Sequence, residues 1–368
     1  MNDDENAQRI VRADRLADLA MADHAWVVYA RLQSMKELQT KEQKPFLVAE
    51  LADVDTVIEA KIWSDREEAM ATMRRLPLLT TIKLLGRVQE YKGRPQLIIE
   101  RVRAVDASDH ESFDPAQLVD PALEKVEDLV CRTLVVDIET VPATDRRELP
   151  AAIGETLTTF ATRKEPNADK DVVDARAQMV MSLSPFFGKV VSLAVGDGDA
   201  EPGSGDDEVT VLAVPPDDHA VADPPPWLRL MSEQELLRCF WALASKAEVV
   251  VTFNGRSFDV PFLVARSLIH GIPARRDLLS SRFTPRPHLD LWEMLSQKDR
   301  GPSKLEVVCW ALGIASPKGE MDGSKVAPAY ARGEIVKIAE YNAHDVRATA
   351  AVFRKVRDLV LRFRADWN

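Results

Sequence analysis

Thr133-Leu134-Val135-Val136-Asp137-Ile138-Glu139-Thr140 is an apolar run that closes on two carboxylates. Leu134, Val135 and Val136, without polar alternation, predict a strand covered on both faces. Asp137 and Glu139, two residues apart in extended chain, share one side of it. Two anions at the end of a buried strand repel each other unless a cation lies between them. Such a cation needs further oxygen ligands from elsewhere in the chain.

Two aspartates are candidates. Asp259 stands in NGRSFDVPFL, directly after the apolar run VVVTF, and Asp345 stands in YNAHD inside a long C-terminal helix expected over 333–363. Tyr341 precedes Asp345 by four residues and so lies on the same helix face. Both fall in the stripe of Ile338, Val352 and Val356, where a carboxylate is costly unless paired or metal-bound. Each residue also has a plain structural reading: Asp259 as a helix N-cap, Tyr341 as a core tyrosine, Asp345 at the edge of a solvated face.

Working outward, the segment before Thr133 has a different character. HAWVVYARL, PFLVAELAD, TVIEAKIWSD, LTTIKLLGRVQEY and RPQLIIERVRAV are five strand-like runs, the last two joined at Lys92-Gly93, and a helical stretch over 66–76 separates the third from the fourth. That is the element order of an OB-fold barrel, expected over residues 1–106 with a short helix or frayed end over the first 20. With Leu47, Ala49, Leu51, Ile58, Ala60 and Ile62 pointing inward, Phe46, Lys61 and Trp63 share the outer face. Aromatics beside a lysine suit base stacking and phosphate contact; packing of Trp63 on a neighbouring domain is the alternative. Residues 107–130 are acidic with two Asp-Pro steps and read as a linker. Residues 131–368 alternate strands and helices, as in a mixed sheet flanked by helices. Within them Ser232 and Glu235 form a capping box ahead of an amphipathic helix, and Ala143 to Met179 is a long charged insertion.

The 368 residues allow two domains, and 46% hydrophobic content is that of an ordinary globular protein. No membrane segment or secretory signal is visible, and three scattered cysteines fit neither a disulfide framework nor a zinc site, so a reducing cytoplasm is expected. A net charge of −11 argues against gripping nucleic acid by bulk electrostatics; it leaves room for local basic grooves. Arg275, Arg276, Arg282 and Arg286 form one candidate phosphate track, with a solvated loop as the alternative. His288 and His344 lack partners at ligand spacing and read as structural; Asp290 reads as a support of the site.

Taken in order, DIET at 137–140, NGRSFD ending at Asp259 and YNAHD ending at Asp345 resemble the three exonuclease motifs of the DEDD superfamily, in its tyrosine-containing branch. SPFFGKVVSLAVGD, HLDLWEML and SPKGEMDGSKV look like the exonuclease family related to the proofreading domain of B-family DNA polymerases. The first half is similar to the OB domain of some bacterial 3′-to-5′ exoribonucleases, and some relatives of this combined type sit in bacterial anti-phage islands. The resemblance implies a ribonuclease H-like fold and 3′-to-5′ hydrolysis of nucleic acid. It implies two Mg²⁺ or Mn²⁺ ions held by Asp137, Glu139, Asp259 and Asp345, with water oriented by Tyr341. Thr140, Asn254 and Phe258 would then surround the terminal nucleotide. Single-stranded DNA is the favoured substrate, for repair or anti-phage defence; RNA is the alternative, as are a non-catalytic single-strand binder and an endonuclease of ribonuclease H type. The sequence is silent on oligomeric state.

Overall fold

The computed structural model describes residues 9–367 apart from 55, 92–93, 110, 114–117, 119, 164, 205–207, 220, 281–283, 297–303 and 316–320. The chain divides into two compact units, Met1–Leu123 and Glu124–Asn368. Residues 107–130, expected as a linker, are divided between them.

The first unit is built from β1 (Ile10–Arg12), β2 (Ala25–Gln39), β3 (Pro45–Ala52), β4 (Val57–Trp63), α1 (Glu67–Arg75), β5 (Thr81–Tyr91) and β6 (Arg94–Ala104). Strand order β1-β2-β3-β4-β6-β5, with β2 also paired to β5, closes five strands on themselves. β2 makes the closure: its first half pairs with β5 and its second half with β3, changing partner at Arg31, just before a register shift between Leu32 and Ser34. Gly86 allows a second close approach, because a Cβ there would lie 2.5 Å from the Ile98 carbonyl oxygen. The alternation expected in β3 and β4 is present: Leu47, Ala49, Leu51, Ala60 and Ile62 are buried with Ala69, Met70 and Met73 of α1, and Ile58 packs against them.

Two expectations change in this unit. Residues 9–20 contain no α-helix; they add β1 alongside β2 and a 3-10 turn at Leu16–Asp18, because Ala13 and Leu16 enter the barrel core. The first part of the expected linker packs too, with Phe113 stacked on Tyr29 and buried Asp109 accepting hydrogen bonds from Lys83 and Arg103. The Lys92-Gly93 turn lies outside the described residues.

The second unit runs β7 (Thr133–Pro142), α2 (Ala151–Thr162), α3 (Lys170–Leu183), β8 (Gly188–Asp197), β9 (Thr210–Ala213), β10 (Leu228–Leu230), α4 (Glu233–Lys246), β11 (Val249–Thr252), α5 (Asp259–Ile269), β12 (His288–Asp290), α6 (Leu291–Leu295), α7 (Leu305–Leu312), α8 (Gly323–Ala331) and α9 (Ile335–Leu359). The mixed sheet has order β10-β9-β8-β7-β11-β12. β7 is antiparallel to β8 and parallel to β11, which is parallel to β12. The charged insertion is the helical pair α2 and α3, closed on Leu157, Ala161, Val173, Ala177 and Met181. Ser232 and Glu235 cap α4 as expected.

One packing relation positions everything that follows. Val135 and Val141 of β7 share a core with Ile338, Val346, Val352 and Phe353 of α9. The strand period of two therefore turns Asp137 and Glu139 toward α9.

Candidate active site

β7 is fully covered at Leu134, Val135 and Val136, and Asp137 and Glu139 follow on its α9 side. Across from them, the buried stripe of α9 carries Asn342, with Tyr341 and Asp345 at its margin. Carboxylate oxygens of Asp137, Glu139 and Asp345 come within 4.8 Å of one another. Asp259 enters from the third side: it opens α5, is buried, and its Oδ1 accepts the Ile138 backbone N–H at 3.1 Å. The four expected carboxylates thus gather on one strand, and Asp259 is not the N-cap.

The cluster is electrostatically uneasy without a cation. Burial, then the charges of Asp259, Glu139 and Asp345, hold the Asp137 carboxyl well above the usual range, and burial with Asp345 and Asp259 does the same to Glu139. Burial pushes Asp259 up to about 7 and Asp345 to about 6. Tyr341 lies beside Asp345, and burial together with the neighbouring carboxylates raises the pKa of its hydroxyl. An all-oxygen donor set that repels itself fits a hard divalent cation.

The support of the site is mostly a matter of hydrogen bonds. Asn342 Nδ2 donates to Asp137 Oδ2 at 2.6 Å while its Oδ1 accepts from the Ser192 hydroxyl at 2.7 Å. Asp290, which caps α6, also accepts the backbone N–H groups of Asn254 and Arg256, each at 2.9 Å. This holds the turn from β11 to α5, where Asn254 has a φ of 65° and Gly255 leaves no space for a Cβ, which would lie 2.5 Å from Thr252. His288 is buried between Thr252 and Leu278, a structural histidine as expected.

A cleft of about 350 Å³ opens on the carboxylates, lined by Asp137, Phe253, Asn254, Trp292, Lys304, Leu305 and Asp345. Lys304 and Asn342 were not singled out in the sequence. Lys304 stands just before α7, outside its amphipathic period, and Asn342 is an amide next to Tyr341 in the buried stripe of α9, the one signal that pointed to it. Phe258 sits at the head of α5, its ring 5.6 Å from that of Phe262.

Three expected contacts fare differently. The Thr140 hydroxyl donates to the Ser182 carbonyl at 2.7 Å in a buried position, so it is not offered to the cleft. Arg286 is half-buried, stacked 4.6 Å over Trp367 and 3.7 Å from Glu248. Glu248 is bonded to Arg132, level with the start of β7, and at a strand rise of about 3.3 Å per residue Asp137 lies roughly 13 Å further along. Arg276 caps the end of α4 through the carbonyls of Ala244, Ala247 and Glu248. These arginines serve the fold, and Arg282 lies outside the described residues.

In the first unit, Phe46 and Trp63 are paired across β3 and β4 with ring centroids 5.0 Å apart. Lys61 Nζ lies 5.8 Å from the Phe46 centroid, 6.0 Å from Trp63 and 5.3 Å from Tyr91, and 3.7 Å from Glu59. Tyr91 is an exposed member of this aromatic face that the strand pattern did not mark.

Residues 228–366 match the family described as a predicted 3′-5′ exonuclease related to the exonuclease domain of PolB. The match takes in Asp259, Tyr341 and Asp345 and leaves Asp137 and Glu139 to the geometry above. A DNA polymerase of Pyrococcus glycovorans is 28% identical over 141 residues, which are 34% of this chain and 18% of the polymerase. The structure of the family B DNA polymerase from Pyrobaculum calidifontis covers 89% of this chain at 14% identity and a TM-score of 0.40, using 46% of its own length. The OB domain of Ta0387 from Thermoplasma acidophilum covers 27% of this chain with 88% of its own, at 14% identity and a TM-score of 0.21. Among the described residues no helix is long and apolar enough to cross a membrane.

Proposed function

We propose that this protein is a metal-dependent exonuclease that removes nucleotides from the 3′ ends of single-stranded nucleic acid, DNA before RNA. The observation that carries the reading is the meeting of Asp137, Glu139 and Asp345 within 4.8 Å, with Asp137 and Asp345 lining one cleft. The family match over 228–366 supports the exonuclease reading in general. The sheet order β9-β8-β7-β11-β12 supports a ribonuclease H-like core, and the Tyr341–Asp345 turn supports the tyrosine branch of the DEDD superfamily. The closed order β2-β3-β4-β6-β5, with α1 between the third and fourth barrel strands, supports an OB-fold that binds single strands on Phe46, Lys61 and Trp63.

Asp137, Glu139, Asp259 and Asp345 would hold two Mg²⁺ or Mn²⁺ ions, which supply Lewis acidity and a reactive water at neutral pH. The chain's own contributions are positional. Asn342 and the Ile138 amide fix Asp137 and Asp259, and the Tyr341 hydroxyl, beside Asp345, orients the water. Phe253, Asn254, Trp292 and Leu305 enclose the terminal base and sugar. Hydrolysis adds the water's hydroxyl to phosphorus, breaks the bond to the 3′-oxygen of the penultimate nucleotide, and leaves the proton on that oxygen.

The test is digestion of 5′-labelled single- and double-stranded DNA and RNA with Mg²⁺ or Mn²⁺. A ladder shortening from the 3′ end is expected, reduced about a thousandfold or more by Asp137→Ala. No shortening of any substrate, or unchanged cleavage by that variant, removes the reading; cuts on a circular substrate turn it into an endonuclease.

A further inference from the structure

Tyr341 has a second neighbourhood. It lines a groove of about 660 Å³ that runs between α8 and the first turns of α9. The two spaces adjoin on α9, where Asp345 lines the cleft and Tyr341, one turn earlier, lines the groove. We propose that the groove holds the retained strand on the 5′ side of the scissile phosphodiester, with Lys337 contacting the next phosphate. This rests on the nuclease reading of the same site.

Spacing is the first argument. Lys337, Tyr341 and Asp345 stand four residues apart in sequence and so form one row along α9. Each step is about 6 Å at 1.5 Å per residue, of the order of the phosphate repeat in an extended strand. A phosphodiester cut beside Asp345 and Tyr341 therefore leaves the adjoining phosphate within reach of Lys337. Charge is the second argument. Lys325, Arg332 and Lys337 line the groove against two carboxylates, Glu334 and Glu340, among the described residues. Glu334 is already engaged by Arg332 at 3.0 Å, and its 3.4 Å pair with exposed Lys337 is a surface contact that a phosphate displaces at little expense. Met321 and Pro328 give the opposite wall an apolar surface for sugar or base. The basic side chains expected to track phosphates, Arg276 and Arg286, are engaged within the fold, whereas this groove is lined by Tyr341, one helical turn from Asp345 of the cleft.

The proposal is tested with Lys337→Glu, the conservative Lys337→Arg, and Lys355→Glu as a charge control on an exposed position of the same helix about 27 Å away. Two measurements are made on oligothymidylates of two, four and eight nucleotides that carry a free 5′-hydroxyl, with products read by chromatography: kcat/KM with Mg²⁺, and affinity in EDTA in an Asp137→Ala background. Lys337→Glu is expected to lower both about tenfold on the eight-mer and less on the dinucleotide, and to reduce the salt slope of binding by about one. Lys337→Arg should restore most of the loss, and Lys355→Glu should stay within about twofold of the parent. Equal losses at every length, or Lys337→Glu binding the eight-mer like its parent, overturn the groove. Failure of the wild-type protein to shorten any oligonucleotide removes the nuclease reading instead, and the EDTA affinities then decide the groove by themselves.

Discussion

Asn342 shows how much one buried amide decides. Its two ends join Ser192 on β8 to Asp137 on β7, so the orientation of the first carboxylate depends on the middle strands and α9 together. Asn342→Ala strands the Ser192 hydroxyl and frees Asp137. The expected result is a loss of about 1–3 kcal/mol in stability and roughly 10- to 100-fold in turnover, read by thermal unfolding and by oligonucleotide digestion. A variant with wild-type melting and turnover removes this role. His288 makes a separate prediction about pH. With Nδ1 2.9 Å from the Leu278 carbonyl and Nε2 2.8 Å from the Thr252 hydroxyl, the neutral ring satisfies both partners by donating to the first and accepting from the second. Burial lowers its pKa to about 4. Between the ordinary value near 6.5 and that value the unfolded chain binds the proton and the native chain does not, so stability falls as pH drops through this window, by up to about 3 kcal/mol. Urea unfolding at pH 7 and pH 5 should show the fall in wild type and a smaller one in His288→Asn; equal slopes count against it.

At the scale of elements, the junction from β11 to α5 is the most constrained part of the site. Asp290 holds it from one side, and Gly255 packs its backbone against Thr252 from the other. Gly255→Ala must move the turn, and with it Asp259 at the head of α5. The expected loss is about 1–3 kcal/mol, with activity down by roughly a hundredfold. Gly154→Ala is the contrasting case: it lies within α2, nothing approaches its Cβ position within 4 Å, and stability should rise by about 0.4–1 kcal/mol with activity unchanged. Melting temperatures of the pair check both, and similar shifts in the two would show that the junction has slack.

At the scale of the molecule, the two units have separate cores, one centred on Leu32, Leu47 and Ile62 and the other on Val135, Val251 and Val346. Residues 124–368 made alone are therefore expected to unfold in one cooperative transition and to retain cleavage of short oligonucleotides. Affinity for long single strands should fall by about tenfold for each base no longer stacked on the barrel. An isolated second unit that binds long strands as tightly as the whole chain would leave the aromatic face of Phe46 and Trp63 without that role. With an overall charge of −11 the basic contacts are local, and each phosphate they hold adds about 0.7 to the salt slope of single-strand binding.

The shared face of Asp137 and Glu139 on β7, the inward and outward faces of β3 and β4, the cap at Ser232 and the place of Asp345 on α9 were legible in the sequence, although β7 runs on past the carboxylates to Pro142. Local periodicity says which side of an element a residue is on; it is silent on what stands opposite. Only the tertiary structure could bring Asn342 onto Asp137, bond Asp259 to the Ile138 amide across the sheet, and engage Thr140 with Ser182 and Arg286 with Trp367. It likewise made Ile10–Arg12 a strand where a short helix or frayed end was expected, since Ala13 and Leu16 just after it have a barrel core to enter. The strand carrying Asp137 and Glu139 announced a charge problem by itself; the residues that answer it are set by how β7, α5 and α9 pack.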